Sequence, residues 1–489
     1  MAVVPIVAHI CSKGAYIFVS DISEKQLKYI QSTFTIRNKT IMGYFDIIKC
    51  YKFYSVGNRP CIVIPRFGVR FICKKIRIIT QSQIKRGLDA NYTITSEFKG
   101  NQQLVFDELM ATYFSAKQAQ MGLAGCLINL AAGQGKSFIS LQIIAKLKTK
   151  TFIITHNELI LKQWHKIIIE NMPNVSVGLY YGKSKTNNAD ITIGIINSAL
   201  NYDNWNEIGL CIFDEAHLYS SKGRAEIYDK CQSYYMLALS ATPLQKLEQN
   251  DNRYKIIQWQ IGPIINAAEL PGYTVENIAF TCQINKIIYK GHPDYIHTLL
   301  NEKLEIVSNP KMINQIIEDP YRKKLVISLA REIIEDPNKN LFIFANRRAY
   351  LDEIHTELVN FMNPSNILFL TNDEEEKFIS TIMGGAAEDK VNLAKQHSRL
   401  ILSTYGYIGT GFSIIRFNSL IFATPFKTGS EQFCGRIFRL GSDYTICRQI
   451  YDIVDISTTL KSQWYKRKSY YNGKEYPIVV RNYKWTDFQ

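Results

Sequence analysis

The apolar positions fall into short runs that change period along the chain. In the first 95 residues the run 15–20 alternates as a strand does. The segment 23–31, SEKQLKYIQ, has helical spacing at Leu27 and Ile30, with Ser23 placed to cap it. Runs at 61–64 and 69–73 read as two strands around Pro65-Arg66-Phe67-Gly68, which makes a small α+β unit. From 126 onward the rhythm is a short buried strand, a loop and a helix, repeated. Strands are expected at 126–131, 151–154, 191–195, 210–213 and 236–239, with helices at 137–148 and 158–170. Fully apolar strands separated by helices form parallel sheets, because the crossover helices cover both faces. The alternation stalls at Gly262-Pro263 and resumes at 341–344, 367–370, 400–403 and 419–422. The pattern therefore predicts an α/β protein of two tandem parallel-sheet domains behind a small α+β domain. The expected divisions are 1–95, 96–262, 263–450 and a C-terminal extension, 451–489.

Composition changes this picture in one respect. The chain has 489 residues and a net charge of +15. Residues 1–95 alone hold 15 Lys and Arg against 4 Asp and Glu, and residues 441–489 hold 8 against 5. The long middle is nearly neutral. A basic module on a neutral body points to a polyanionic partner, since Lys and Arg displace the counterions of phosphates. The ten cysteines are scattered, with no CxxC pair, which argues against a disulfide framework or a structural zinc site. The apolar start, MAVVPIVAHI, is too short to span a bilayer and has no basic flank; a soluble intracellular monomer is expected.

The string LAAGQGKS (130–137) follows a strand and opens a helix, the setting of a phosphate-binding loop. Gly133 and Gly135 let backbone amides turn toward phosphate oxygens, with Gln134 between them. Lys136 suits the β- and γ-phosphates of ATP, and the Ser137 hydroxyl suits Mg²⁺. Leu130 stands where the pattern usually begins with glycine. FDEAH (213–217) ends an apolar strand, with Asp214 78 residues beyond Lys136. Asp214 there is expected to hold Mg²⁺ through water, Glu215 to act as general base and His217 to relay nucleotide state. Ser240 and Thr242, in SATP, are expected to couple hydrolysis to movement. QFCGRIFR (432–439) places Arg436 and Arg439 three apart, about one helical turn, suited to neutralising a γ-phosphate across a cleft. Gln432 and Gly411 are read as further nucleotide contacts. Thr155 in THNELILKQW and Thr404 in STYGYIGTGFSI are read as backbone-phosphate contacts; Gln163 and Trp164 suit either a structural or a functional role.

In this order and on these elements, the motifs resemble superfamily 2 helicases over residues 96–445. The resemblance implies two RecA-like domains, and it places Gln102 or Gln103, with Gln102 assigned, as the adenine-reading glutamine. The strings GHPDYIHTLL, STYGYIGTGFS, CGRIFRLGSD and LKSQWYKRKSYYNGKEYPI narrow the resemblance to DEAH-type DNA helicases of large cytoplasmic DNA viruses, the group of the African swine fever virus helicase and the poxvirus transcript-release helicase. That implies a 3′-to-5′ DNA-stimulated ATPase on single-stranded or forked DNA. It also implies a role in transcription beside the viral RNA polymerase and nascent transcript, and a place in the virion and the cytoplasmic viral factory. A branch-migrating repair motor, an RNA motor and a non-catalytic nucleic-acid scaffold are the alternatives. The N-terminal unit resembles the DNA-engaging modules of branch-migrating phage helicases, with Arg66 and Arg70 as its phosphate contacts. The aromatic and basic run 464–485 suits either base stacking or packing on the second motor domain.

Overall fold

The computed structural model describes residues 5–11, 14–39, 45–72, 77–80, 87–130, 134–186, 188–221, 223–231, 233–240, 252–274, 280–301, 306–361, 378–383, 386, 388–408, 414–427, 429–439 and 442–489. The chain divides into two compact units, 1–275 and 276–489.

The first unit opens with the basic module. Its five-stranded sheet runs, from edge to edge, Lys52–Val56, Arg59–Ile64, Gly14–Phe18, Val7–Cys11 and Arg77–Thr80. The helix Glu24–Thr33 forms where the pattern predicts it. Ser23 accepts from the Gln26 amide and Gln26 reaches back to the Ser23 amide, a reciprocal cap that satisfies two otherwise orphaned donors.

The expected strand at 69–73 is instead a 3-10 helix, Arg66–Phe71, in which Arg66, Phe67, Gly68 and Val69 are all buried. Four consecutive buried residues cannot come from a strand with one solvated face, because its side chains alternate. The turn closes through the Gly68 amide, which donates to the Pro65 carbonyl at 2.9 Å. A Cβ on Gly68 would lie 2.6 Å from the Phe34 ring, so only glycine lets the turn sit there.

The buried turn joins the module to the motor domain. A single apolar core runs from Ile10, Ile30 and Phe34 through Phe67 to Phe213, Met236 and Trp259. Phe34 meets Trp259 edge-on at 5.0 Å. The module and the first motor domain therefore fold around shared apolar surface.

The motor sheet of this unit has eight strands. Their order is Ser184–Lys185, Val177–Tyr181, Ile191–Ile195, Thr151–Thr155, Leu210–Phe213, Tyr235–Ser240, Ala124–Asn129 and Ile264–Asn266. All pairings are parallel except the first. The helices Lys136–Leu147 and Glu158–Asn171 cross between strands as the pattern predicts.

The second unit repeats the architecture with seven parallel strands. In order they are Ile379–Thr381, Leu400–Thr404, Leu341–Ala345, Ser419–Phe422, Arg448–Asp455, Cys282–Lys290 and Ile478–Lys484. The strand expected at 367–370 lies outside the described residues. In the C-terminal run several of the aromatic residues pack into the second unit, while Tyr465 stays 67% exposed. Ser462–Gly473 is a helix, and Ile478–Lys484 pairs with Cys282–Lys290 as an edge strand. Within that helix Arg467, 1% exposed, donates twice to the buried Asp452 at 2.7 Å, and the Tyr471 hydroxyl donates to it at 2.9 Å. A buried carboxylate with three donors is well satisfied, and such a guanidinium is committed to the fold. Trp464 is buried beside it. No described helix is long and apolar enough to cross a membrane.

Candidate functional site: the phosphate loop and the acidic strand end

Three neighbouring strands of the first unit, Ala124–Asn129, Tyr235–Ser240 and Leu210–Phe213, deliver their C-terminal ends to one edge of the sheet. In parallel sheets that edge is where ligands bind. The first of these strands leads to Leu130, whose side chain is buried in the core; this accounts for an apolar residue at the usual glycine position. Its carbonyl accepts from Lys136 Nζ at 2.8 Å, which folds the lysine back over the loop. Gly135 caps the helix Lys136–Leu147 at φ +86°, a left-handed conformation that side chains resist. A Cβ there would also lie 2.1 Å from Gln102 Nε2. So Gln102 packs against the loop, whereas Gln103 donates to Asp107 on the solvent-facing side of its helix. Gln134 and Ser137 are half-buried beside Lys136. Gly133 lies outside the described residues.

The acidic strand end is held by a continuous set of contacts. Asp214 Oδ2 accepts from the indole N–H of Trp164 at 2.8 Å, and its Oδ1 accepts from the Glu215 amide at 3.0 Å. Burial, reinforced by the neighbouring Glu215, pushes the Asp214 carboxyl up to about 6, while the Trp164 bond and the Lys136 charge oppose the rise. Glu215 sits at φ +49° and ψ +50°, a left-handed backbone that costs about 1 kcal/mol or more for a non-glycine residue. One ring nitrogen of His217, Nδ1, lies 3.3 Å from Glu215 Oε2 and 2.9 Å from Ser240 Oγ. Asp214, Glu215, His217 and Ser240 thus form one line linking two strand ends. Thr242 lies outside the described residues.

In the second unit, Gln432 is half-buried in the short helix Ser430–Cys434. The arginines do not share a face of that helix. It ends at Cys434, where the Arg436 and Ile437 amides turn back to the Phe433 and Cys434 carbonyls in tight three-residue steps. Arg436 and Arg439 therefore follow it, in the turn and the segment beyond. Arg439 is half-buried, its Nε has no hydrogen-bond partner among the described residues, and burial lowers its pKa. Thr404 closes the strand Leu400–Thr404 and is half-buried. Gly411 lies outside the described residues.

Two of the expected nucleic-acid contacts are corrected. Thr155 is wholly buried, and its hydroxyl donates to the Gly194 carbonyl at 3.3 Å inside the sheet. Arg66 is also wholly buried, with Nη2 donating to the Ser233 carbonyl at 2.8 Å, so it joins the basic module to the motor domain. Arg70 stays at the surface but directs Nη2 to Gln118 and the Leu123 carbonyl of the motor domain.

The family described as "Type III restriction enzyme, res subunit" matches residues 73–245. A protein of African swine fever virus named "Putative ATP-dependent RNA helicase" is 31% identical over 368 residues, which cover 72% of this chain and 68% of that protein. The chain belongs to this family of viral superfamily 2 helicases. A mimivirus protein with the same label, from Acanthamoeba polyphaga mimivirus, is 27% identical to this helicase over 79% of the chain and 70% of its own length. A "DNA 3'-5' translocase" of Sulfurisphaera tokodaii is 29% identical over 143 residues, 28% of the chain and 31% of that protein.

Two site residues of this helicase are poorly marked in the sequence. Trp164 follows the spacing of buried Ile160, Leu161 and Ile168 and so reads as core; only the indole N–H, which needs a partner when buried, distinguishes it. His156 adjoins the acidic end, its Nε2 lying 3.0 Å from Asn157 Nδ2. Burial, with the charges of His217 and Arg224, pushes His156 down to about 4 and keeps it neutral. Asn157 caps the helix Glu158–Asn171 through the Ile160 amide.

Proposed function

We propose that this ATP-dependent helicase is a 3′-to-5′ translocase on DNA that acts in viral transcription, moving along one strand and displacing the nascent transcript and polymerase ahead of it. The observation that carries the ATP-driven part is the line Asp214, Glu215, His217 and Ser240 on the strand ends beside the Lys136 loop. In this reading Lys136 leaves the Leu130 carbonyl to neutralise the terminal phosphates, and Gln102 reads the adenine. Ser137, and Asp214 through water, would hold a Mg²⁺ ion, since a hydroxyl and a carboxylate are the hard oxygen groups this cation prefers. No group of three or more His, Cys, Asp or Glu among the described residues is arranged for a metal, which a site of this kind does not need. The bound Mg²⁺ supplies charge neutralisation at the phosphates. Trp164 fixes one oxygen of Asp214 and so would hold the carboxylate in one orientation for this role. Glu215 orients the attacking water and accepts its proton. His217 passes the state of Glu215 to Ser240, and so to the next strand end. Arg436 and Arg439 neutralise charge on the transferred phosphoryl group.

The likeness to an archaeal DNA translocase over part of the chain supports DNA and the 3′-to-5′ direction. The viral relatives are named as RNA helicases, and that favours RNA as the second reading. The virion and the cytoplasmic viral factory are the proposed places of action. The test is strand displacement from forked substrates with one DNA or one RNA loading strand and a 3′ or a 5′ tail. Unwinding confined to a 3′ DNA tail supports the proposal; unwinding confined to RNA tails selects the second reading. Release of a stalled transcript from the viral polymerase tests the proposed role directly.

A further inference from the structure

A groove of about 620 Å³ lies in the first unit between the basic module and the motor domain, away from the phosphate loop. The module lines it with Thr35, Arg37 and Phe71; the motor domain adds Lys255, Gln258 and Trp259 from the helix Tyr254–Ile261. We propose that this groove binds one segment of single-stranded nucleic acid, with phosphates on Arg37 and Lys255 and a base stacked on Phe71. The inference rests on the motor reading above and names a strand-holding site that the motor motifs do not contain.

Four observations carry it. First, Arg37 and Lys255 are exposed, and neither has an ion pair among the described residues, although surface lysines and arginines of this module elsewhere find partners, as Lys52 does with Asp229 and Arg59 with Asp21. Two unneutralised cations on facing walls of a cavity favour an anion between them. Second, Phe71 is 43% exposed although it ends the 3-10 helix whose first four residues are buried. A flat ring at the rim of a basic groove is the platform on which any base can stack. Third, the groove's hydroxyls are already committed: Ser32 and Thr33 donate to the Tyr29 carbonyl and Thr35 to the Gln31 carbonyl. These bonds cover carbonyls at the end of the helix Glu24–Thr33, whose negative dipole end would otherwise repel phosphate. Fourth, the module's excess of 15 basic over 4 acidic residues has given up Arg66 to the interior, so a phosphate-binding role must rest on other cations. A single strand fits this mixture better than duplex, because stacking on Phe71 requires an unpaired base.

The test uses the full chain without ATP and matched single strands of DNA and RNA carrying 5-iodouracil. Photo-crosslinking is expected to mark the peptide containing Phe71, and the strand that crosslinks tells which nucleic acid the groove takes. Arg37→Glu with Lys255→Glu should weaken binding at least about tenfold and lower the log–log salt slope by about 1.4, roughly 0.7 for each phosphate no longer neutralised. Phe71→Ala should weaken binding about tenfold with the slope unchanged, and Phe71→Trp should restore it. Melting curves check that each variant is folded, and Arg37→Gln with Lys255→Gln replaces the double Glu variant if that one is not. Folded variants with unaltered affinity and slope, while ATPase of the wild-type chain is still stimulated by the same strands, overturn the groove and leave the motor reading standing. A wild-type chain that neither binds the strands nor responds to them overturns both.

Discussion

Trp164→Phe removes one hydrogen bond from the acidic strand end while keeping an aromatic ring in the core. The indole N–H donates to Asp214 Oδ2 at 2.8 Å, and the other oxygen is held by the Glu215 amide at 3.0 Å. A buried bond to a carboxylate contributes about 1.5–3 kcal/mol. Its loss frees one of the two restraints on the carboxylate that is proposed to carry the metal. If all of that energy is expressed as misplacement in the transition state, kcat falls roughly 10-fold to 150-fold, at about 1.4 kcal/mol per tenfold. KM for ATP should change by no more than about threefold, since the phosphate loop is untouched. The assay is steady-state ATPase over a Mg²⁺ series with saturating polynucleotide, paired with thermal melting. The Mg²⁺ midpoint should move upward together with the fall in kcat. A variant that melts earlier but keeps wild-type kcat and Mg²⁺ midpoint would refute the reasoning and reduce Trp164 to core packing.

Lys136→Ala should abolish hydrolysis and weaken ATP binding, measured by filter binding and phosphate release, because no other cation of the loop replaces its charge. Arg439→Ala should lower kcat by roughly 10³-fold with a much smaller change in ATP affinity, checked by kcat and KM together. A chain starting at residue 96 should melt well below the full chain or fail to fold, because the core that Trp259 and Phe213 share with Phe34 and Phe67 is opened; soluble expression and a melting curve decide it.

The central strands of the motor sheets were legible in the sequence because they are short, largely apolar runs, as Leu210–Phe213 shows, whereas Cys282–Lys290 and Arg448–Asp455, which carry charged residues, were not. The phosphate loop and acidic motif were legible because their chemistry restricts each position to a few residue types. What escaped depends on contacts that periodicity does not encode. Arg66 reads as a surface cation until the turn at Pro65 tucks it under the motor domain, where it meets the Ser233 carbonyl. The segment 69–73 looks like a strand because Val69 and Phe71 alternate with Arg70, yet Gly68 against Phe34 selects a helical turn over Arg66–Phe71. The aromatic and basic run near the C-terminus reads equally as a stacking surface, and its packed part, Arg467 and Tyr471 gathered on the buried Asp452, shows only in the structure.

The most direct test of the central claim is polynucleotide-stimulated ATPase of the full chain against Glu215→Gln. Single-stranded DNA is expected to accelerate wild-type hydrolysis many-fold, while Glu215→Gln binds ATP and strand but turns over at most about a hundredth as fast, the scale of a lost general base. Wild-type hydrolysis indifferent to DNA and RNA alike, or near-normal turnover in Glu215→Gln, would contradict it.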